Sequence, residues 1–355
     1  MNYHNFLFNF KDKIITFVVV KLLRKILAPF VPLYYMVVFL RNKLYDWTFF
    51  KSTSYEFPLI CVGNLSVGGT GKTPMVEYLV SFLKKKHQVA TLSRGYGRDS
   101  KGFIIADLQA TSQDIGDEPL QLFNKFKDIT VAVDADRQNG LNLLKKSKPF
   151  IDVVLLDDAF QHRKVSAGFN ILLTAYDQLY CHDYVLPTGN LREPKSGAKR
   201  AQAIVVTKSP EGLSHEHKSS IIEQLNPEPN QEVFFSSIQY SDVLMSLTSR
   251  HSVTDLKAVR FTLVTGIANP APLVTHLKSI GLDFEHLEFK DHHQFSKSEL
   301  ELIYSKPFVL TTEKDFSRLS SETQSQIYYL PIQLKIDRAD AFEQLVDSYV
   351  KQEIS

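Results

Sequence analysis

Ile60-Cys61-Val62-Gly63-Asn64-Leu65-Ser66-Val67-Gly68-Gly69-Thr70-Gly71-Lys72-Thr73 is the stretch that decides how this chain folds. An apolar run of buried-strand type breaks into a glycine-rich turn, and a helical pattern starts at Lys72-Thr73. Glycines let backbone N–H groups turn inward around anionic oxygens, and a helix N-terminus adds a favourable dipole. Ser66, Val67, Gly68, Gly69, Thr70, Gly71, Lys72 and Thr73 are therefore expected to cradle the phosphates of a nucleotide. Lys72 would reach the β- and γ-phosphates, and the Thr73 hydroxyl would ligate Mg²⁺. Ser66 stands where the first glycine of the usual pattern belongs, yet strand, glycines and Gly-Lys-Thr keep the required context. The competing reading is a glycine turn that only joins strand to helix.

Outward from this loop, short apolar runs alternate with helical stretches. Strands are expected at 58–62, 89–92, 129–133, 153–156, 171–174 and 204–207, with helices at 73–86, 119–126 and 138–146. Most runs are apolar on both faces, as parallel strands buried between helix layers require. The fourth run ends in Asp157-Asp158, which delivers carboxylates to the strand tip where this architecture places its site. Two adjacent carboxylates repel unless a cation or a shared proton relieves them. A polar stretch at 209–232 with Pro210, Pro227 and Pro229 reads as a linker. Beyond it, 260–265, 273–280, 308–311 and 327–336 form a second, smaller set. The expectation is a doubly wound, mostly parallel α/β sheet of P-loop NTPase type with a smaller C-terminal α/β lobe. It divides the chain into an N-terminal membrane-associated helical segment (1–50), a P-loop domain (51–232) and a C-terminal lobe (233–355) closing over the cleft.

Composition adds limits. With 44% hydrophobic and 23% charged residues the chain is an ordinary folded one. Its 2 cysteines, Cys61 and Cys181, form no disulfide framework or metal spacing, which fits a reducing compartment. The net charge of +2 is uneven: residues 1–51 hold eight Lys/Arg against two acids, leaving the remainder at −4. A basic, aromatic-rich N-terminus points to an anionic membrane surface, and no basic stripe elsewhere would follow nucleic acid. The apolar runs 14–20 and 26–40 fall short of the roughly 20 residues that span a bilayer. Pro29 and Pro32 also sit inside the longer run. An interfacial helix with Tyr34, Tyr35, Tyr45 and Trp47 near the headgroups is expected; a helix packed on the protein's own core is the alternative.

Further motifs follow in order: Leu92-Ser-Arg-Gly-Tyr-Gly-Arg98, Gly116-Asp-Glu-Pro119, Leu156-Asp-Asp-Ala-Phe-Gln-His-Arg163, Leu186-Pro-Thr-Gly-Asn-Leu-Arg-Glu-Pro194, Asp291-His292 and Thr311-Thr-Glu-Lys-Asp315. Together with 64–74 they closely resemble the tetraacyldisaccharide 4′-kinases of lipid A synthesis over nearly the whole chain. Ala159 departs from the glycine of that family's motif. The resemblance implies transfer of the ATP γ-phosphoryl group to the 4′-hydroxyl of a tetraacylated diglucosamine 1-phosphate. It also implies action at the cytoplasmic face of a bacterial inner membrane.

The resemblance makes Asp117 the base that takes the hydroxyl proton, with His292 as its partner. From the residues alone Asp117 could equally cap a helix before Pro119. Asp158 is a second catalytic candidate beside Lys72. Thr73, Asp157 and Glu118 are the expected Mg²⁺ side. Arg94 and Tyr96, with Asn190, Glu193, Gln161 and His162, are the expected substrate contacts. His292-His293 lacks the partners a zinc site needs. Among rivals, a dimerising membrane-peripheral ATPase would carry lysine where Val67 stands. A GTPase would carry Asn-Lys-x-Asp, and a nucleotide-binding adaptor would leave Asp117 and His292 idle.

Overall fold

The apolar runs read above become the middle of a nine-stranded sheet in the computed structural model, which describes Arg24 and residues 26–291, 293–319 and 326–354. His292 and the apolar run at 14–20 lie outside the described residues. The strands are β1 (Leu59–Asn64), β2 (Val89–Ser93), β3 (Ile104–Ile105), β4 (Thr130–Val133), β5 (Val153–Asp157), β6 (Phe169–Ala175), β7 (Ala203–Thr207) and β8 (Glu232–Tyr240). With β15 (Ile332–Ile336) they lie in the order β15-β8-β7-β6-β1-β5-β2-β4-β3. The inner pairs are parallel, while β3 and β15 close the two edges antiparallel.

β1 sits at the centre, and its side chains alternate between two apolar layers. Leu59 and Cys61 enter one, Ile60 and Val62 the other. The second layer holds helix α2 (Lys72–Leu83) through Met75, Val76, Leu79 and Leu83. Helices α3 (Asp117–Lys125) and α4 (Arg137–Ser147) follow β3 and β4. Because β1 lies between β5 and β6, the strand order reverses beside it, and that is where such sheets bind ligands.

The 209–232 stretch, read as a linker, holds helix α5 (His215–Leu225), capped by Ser214 and ended by Asn226 in the left-handed region at φ 46°. Its sequence is polar and buries only Ile221 and Leu225, so it shows almost no periodic signal. β9 (Val243–Met245), β10 (Arg250–Ser252), β11 (Phe261–Thr265), β12 (Phe284–Glu288), β13 (Val309–Thr312) and β14 (Ile327–Leu330) form a second sheet in the order β10-β9-β14-β13-β11-β12. Helices α6 (Ala271–Ser279), α7 (Lys297–Tyr304) and α8 (Glu313–Leu319) belong to it. The expected single run 327–336 is two strands in different sheets. Pro331, which cannot donate to a ladder, separates them.

The last helix, α9 (Ala339–Ile354), packs Phe342, Val346 and Val350 under the large sheet. β8, β15 and α9 therefore put residues from beyond position 232 into the first sheet. The chain leaves that sheet through β8 and returns through β15, paired antiparallel with Ile332 opposite Tyr240.

Helix α1 (Val31–Asp46) turns a broad apolar face outward and packs Val31, Tyr34 and Asn42 inward. Its one buried residue is Asn42, while Leu33, Met36, Val37 and Leu40 face solvent. Trp47 and Phe49 beyond it are 66% and 75% exposed. Pro32 fits the first turn, whose N–H groups need no intrahelical partner. One side of the helix packs on the protein's own core through Val31 and Tyr34, as the alternative expected, while the other side stays exposed. No helix among the described residues is long and apolar enough to cross a membrane.

Candidate active site

The turn between β1 and α2 is held open around a left-handed backbone. Gly68 and Gly71 have φ of 113° and 84°, a region that side chains enter at a cost. The loop is braced from two sides. Val67 N–H donates to the Asn190 carbonyl at 2.7 Å, and Arg192 N–H to the Leu65 carbonyl at 2.7 Å. Opposite, the Thr207 hydroxyl donates to the Thr70 carbonyl at 2.8 Å and Lys208 Nζ to the Gly69 carbonyl at 2.6 Å. Lys72 Nζ lies 3.4 Å from Asn64 Oδ1 and 3.5 Å from Asp158 Oδ1.

The two aspartates at the end of β5 diverge. Asp158 stands at φ 49° and turns its carboxylate to Lys72 and to Arg192 Nη1, at 3.0 and 3.2 Å. Burial opposes its charge, but Lys72 and Arg192 outweigh burial and hold its pKa below the usual value. Asp157 is 5% exposed, and its Oδ1 has no hydrogen-bond partner among the described residues. Burial first, and then the Glu118 carboxylate, push its pKa up to about 7. The positive φ falls on Asp158, so Ala159 enters the core without backbone strain, and the departure from glycine costs the turn nothing.

Gly116, at φ 92°, takes the N-cap position of α3, so Asp117 is the first helical residue and not its cap. A Cβ on Gly116 would lie 2.9 Å from the Tyr96 carbonyl, which shows how closely the 94–98 loop packs on this turn. Arg94 and Tyr96 are exposed on that loop. Asp117 Oδ2 lies 3.0 Å from Arg318 Nη2 on α8. The sheet thus gathers 66–73, Asp157, Asp158, Glu118, Asp117 and the 94–98 loop along one edge.

Other expected contacts are committed elsewhere. Glu193 is 2% exposed and accepts from Arg200 at 2.8 and 3.0 Å, Asn42 Nδ2 at 2.8 Å and Gln161 Nε2 at 2.9 Å. In this structure both Glu193 oxygens accept from Arg200, Asn42 and Gln161, and so join α1 to the loops at 161 and 200. Gln161 Nε2 also donates to the Asn64 carbonyl at 2.8 Å. The Asn190 amide bonds Asp183 at 3.0 Å and receives Arg24 at 2.9 Å. His162 is half-buried; burial and then Arg137 lower its pKa.

Arg192 pairs with Asp158. One cation escaped the sequence reading: Arg137, 3% exposed, opens α4, and Asp157 and then Asp158 are the charges that offset its burial. A cation at a helix N-terminus opposes the dipole, and that was the available signal.

The profile of the tetraacyldisaccharide-1-P 4′-kinase (LpxK) family matches residues 23–351. The chain belongs to that family. A tetraacyldisaccharide 4′-kinase of Flavobacterium johnsoniae is 47% identical over 338 residues, covering 94% of this chain and 99% of the relative. One of Bacteroides thetaiotaomicron is 43% identical, covering 93% and 94%. The crystal structure of LpxK from Aquifex aeolicus in complex with ATP superposes with a TM-score of 0.75 at 30% identity, over 92% of this chain and 99% of that one.

Proposed function

We propose that this LpxK-family chain transfers the γ-phosphoryl group of ATP to the 4′-hydroxyl of a tetraacyldisaccharide 1-phosphate, forming lipid IVA in lipid A synthesis. The observation that carries this reading is the convergence of the 66–73 loop, Lys72, the Asp157-Asp158 pair and Asp117 on one sheet edge. Backbone N–H groups of the loop and Lys72 hold the phosphates. Asp117 takes the proton as the 4′-oxygen bonds to the γ-phosphorus and the bond to the β-phosphate oxygen breaks, releasing ADP. Asp158, already ionised against Lys72 and Arg192, keeps that lysine aimed and is the poorer base.

The orphaned oxygen of Asp157, the adjacent Glu118 charge and the position of Thr73 on α2 form an oxygen donor set of the kind Mg²⁺ prefers. When bound, Mg²⁺ neutralises charge on the transferring phosphate.

Arg94 and Tyr96 face the acceptor sugar. His292 is the partner of Asp117 in proton transfer, and the small lobe, already joined to Asp117 through Arg318, covers that side of the site. The outward apolar face of α1, with Trp47 and Phe49, lies on the cytoplasmic leaflet of the inner membrane. The opposite side of the helix reaches the loops of the site: Tyr34 hydroxyl donates to the Arg192 carbonyl at 2.7 Å, and Arg41 to the Gln161 carbonyl at 3.2 Å. The acyl chains of the acceptor then stay in lipid while its headgroup enters the cleft.

Asp117→Ala, His292→Ala and the double variant test the catalytic pair. Residues acting as one unit give strongly non-additive losses. Transfer should fall little further in the double variant, with ATP binding kept throughout; additive losses would assign the two residues separate roles.

A further inference from the structure

We propose that Arg318 is a positioning residue for phosphoryl transfer, a guanidinium on the small lobe that holds Asp117 in its working orientation. This rests on the reading of Asp117 as the base. Arg318 reaches three groups, through one hydrogen bond and two ion-pair contacts; among the described residues Nη2 has no hydrogen-bond acceptor, so its hold on Asp117 is electrostatic. Nη2 lies 3.0 Å from Asp117 Oδ2, Nη1 donates to the His293 carbonyl at 3.4 Å, and Nη1 lies 3.6 Å from Asp315 Oδ1. The side chains of Arg318, Asp117 and Asp315 are 9%, 18% and 0% exposed, so water screens this set weakly.

Asp315 is itself pinned. Its Oδ2 accepts from Gly266 N–H at 2.9 Å and from the Thr312 hydroxyl at 2.7 Å. The Thr311–Asp315 motif thereby acquires a role: it anchors the guanidinium to the end of β11. A planar, permanently charged fork suits such a bridge, and a lysine could not span it.

Fastening the lobes does not by itself explain Arg318. The same two helices are already joined by Lys125 on α3, which reaches Glu77 at 2.8 Å and Glu313 at 2.9 Å. What distinguishes Arg318 is that its far end lands on the catalytic carboxylate. The other charges at this interface are Glu118 beside Asp117, the Asp291–Lys314 pair at 3.4 Å, and His293 held by Glu299 at 3.0 Å.

The test compares Arg318→Met, Arg318→Lys, Lys125→Met and Asp117→Asn in the full-length enzyme with glycolipid acceptor. Arg318→Met should lower kcat by about 100-fold, the cost of a misplaced catalytic group, with KM for ATP unchanged. Arg318→Lys should fold and melt like the wild type yet not recover the rate, because one ammonium cannot replace the planar fork. Lys125→Met should lower the melting temperature and leave kcat near the wild-type value. Arg318→Met added to Asp117→Asn should cost little beyond Asp117→Asn alone, because the two act as a unit. Wild-type kcat in Arg318→Met, a rise in KM for ATP with kcat kept, or the same kcat loss in Lys125→Met overturns the proposal. If Arg318→Met does not fold, Arg318→Lys decides, and wild-type kcat there overturns it. Full turnover in Asp117→Asn would remove the base assignment itself. A dead Asp117→Asn beside wild-type kcat in Arg318→Met would remove only the role of Arg318.

Discussion

Replacing Asp157 by Asn should make the ligand-free protein more stable, and increasingly so as pH rises. The folded-state pKa of about 7 stands some three units above the ordinary aspartate value of 3.8. The folded protein therefore keeps a proton that the unfolded chain releases near pH 4, and stability drains away as pH rises from there to about 7. At ~1.4 kcal/mol per unit, the ceiling is about 4 kcal/mol, fully present above pH 7. Asn imitates the protonated form and escapes that loss. Thermal melts at pH 5 and pH 8 should show the variant's advantage growing with pH, by a few degrees for a chain of this size. Mg²⁺ with nucleotide should raise the wild-type midpoint at pH 8 and do so far less in the variant, whose transfer activity should collapse. A variant less stable at pH 8 than the wild type, or one that keeps the full Mg²⁺ effect, would refute the reasoning.

Other outcomes follow from the same geometry. Lys72→Ala should abolish transfer while folding normally, since the lysine makes only long contacts to Asn64 and Asp158; circular dichroism and turnover measured together check this. Glu193→Ala should destabilise by about 3 kcal/mol, because it strands the Arg200 guanidinium beside Asn42 in a buried site; urea melts would read the loss, and an unchanged midpoint would contradict it. Trp47→Ser with Phe49→Ser should weaken flotation with anionic vesicles at physiological salt, whereas wild-type protein left wholly unbound would rule out the membrane-facing role of α1.

The parts legible in the sequence were those that physics writes locally. Strands such as the one expected at 153–156 are apolar on both faces, and the 66–73 loop declares itself through glycine spacing. What escaped was decided by tertiary partners. Helix α5 hides in a polar stretch because only two of its residues are buried. The role of Glu193 depends on Asn42, 151 residues away. Arg318 gains its meaning only when α8 packs against α3, and no spacing within either helix foretells that contact. Helix α1 was recognisable as an apolar, interfacial segment, but its fastening to the body through Tyr34 and Asn42 depends on Arg192 and Glu193, 158 and 151 residues away.

The central claim, phosphoryl transfer to a sugar hydroxyl of a membrane glycolipid, is tested most directly by incubating the full-length protein with Mg²⁺, γ-³²P-labelled ATP and a tetraacyldisaccharide 1-phosphate in mixed micelles. The label should appear on the lipid at the 4′ position, at a rate that Asp117→Ala abolishes without loss of ATP binding. Release of labelled inorganic phosphate at full rate with no labelled lipid would contradict the account.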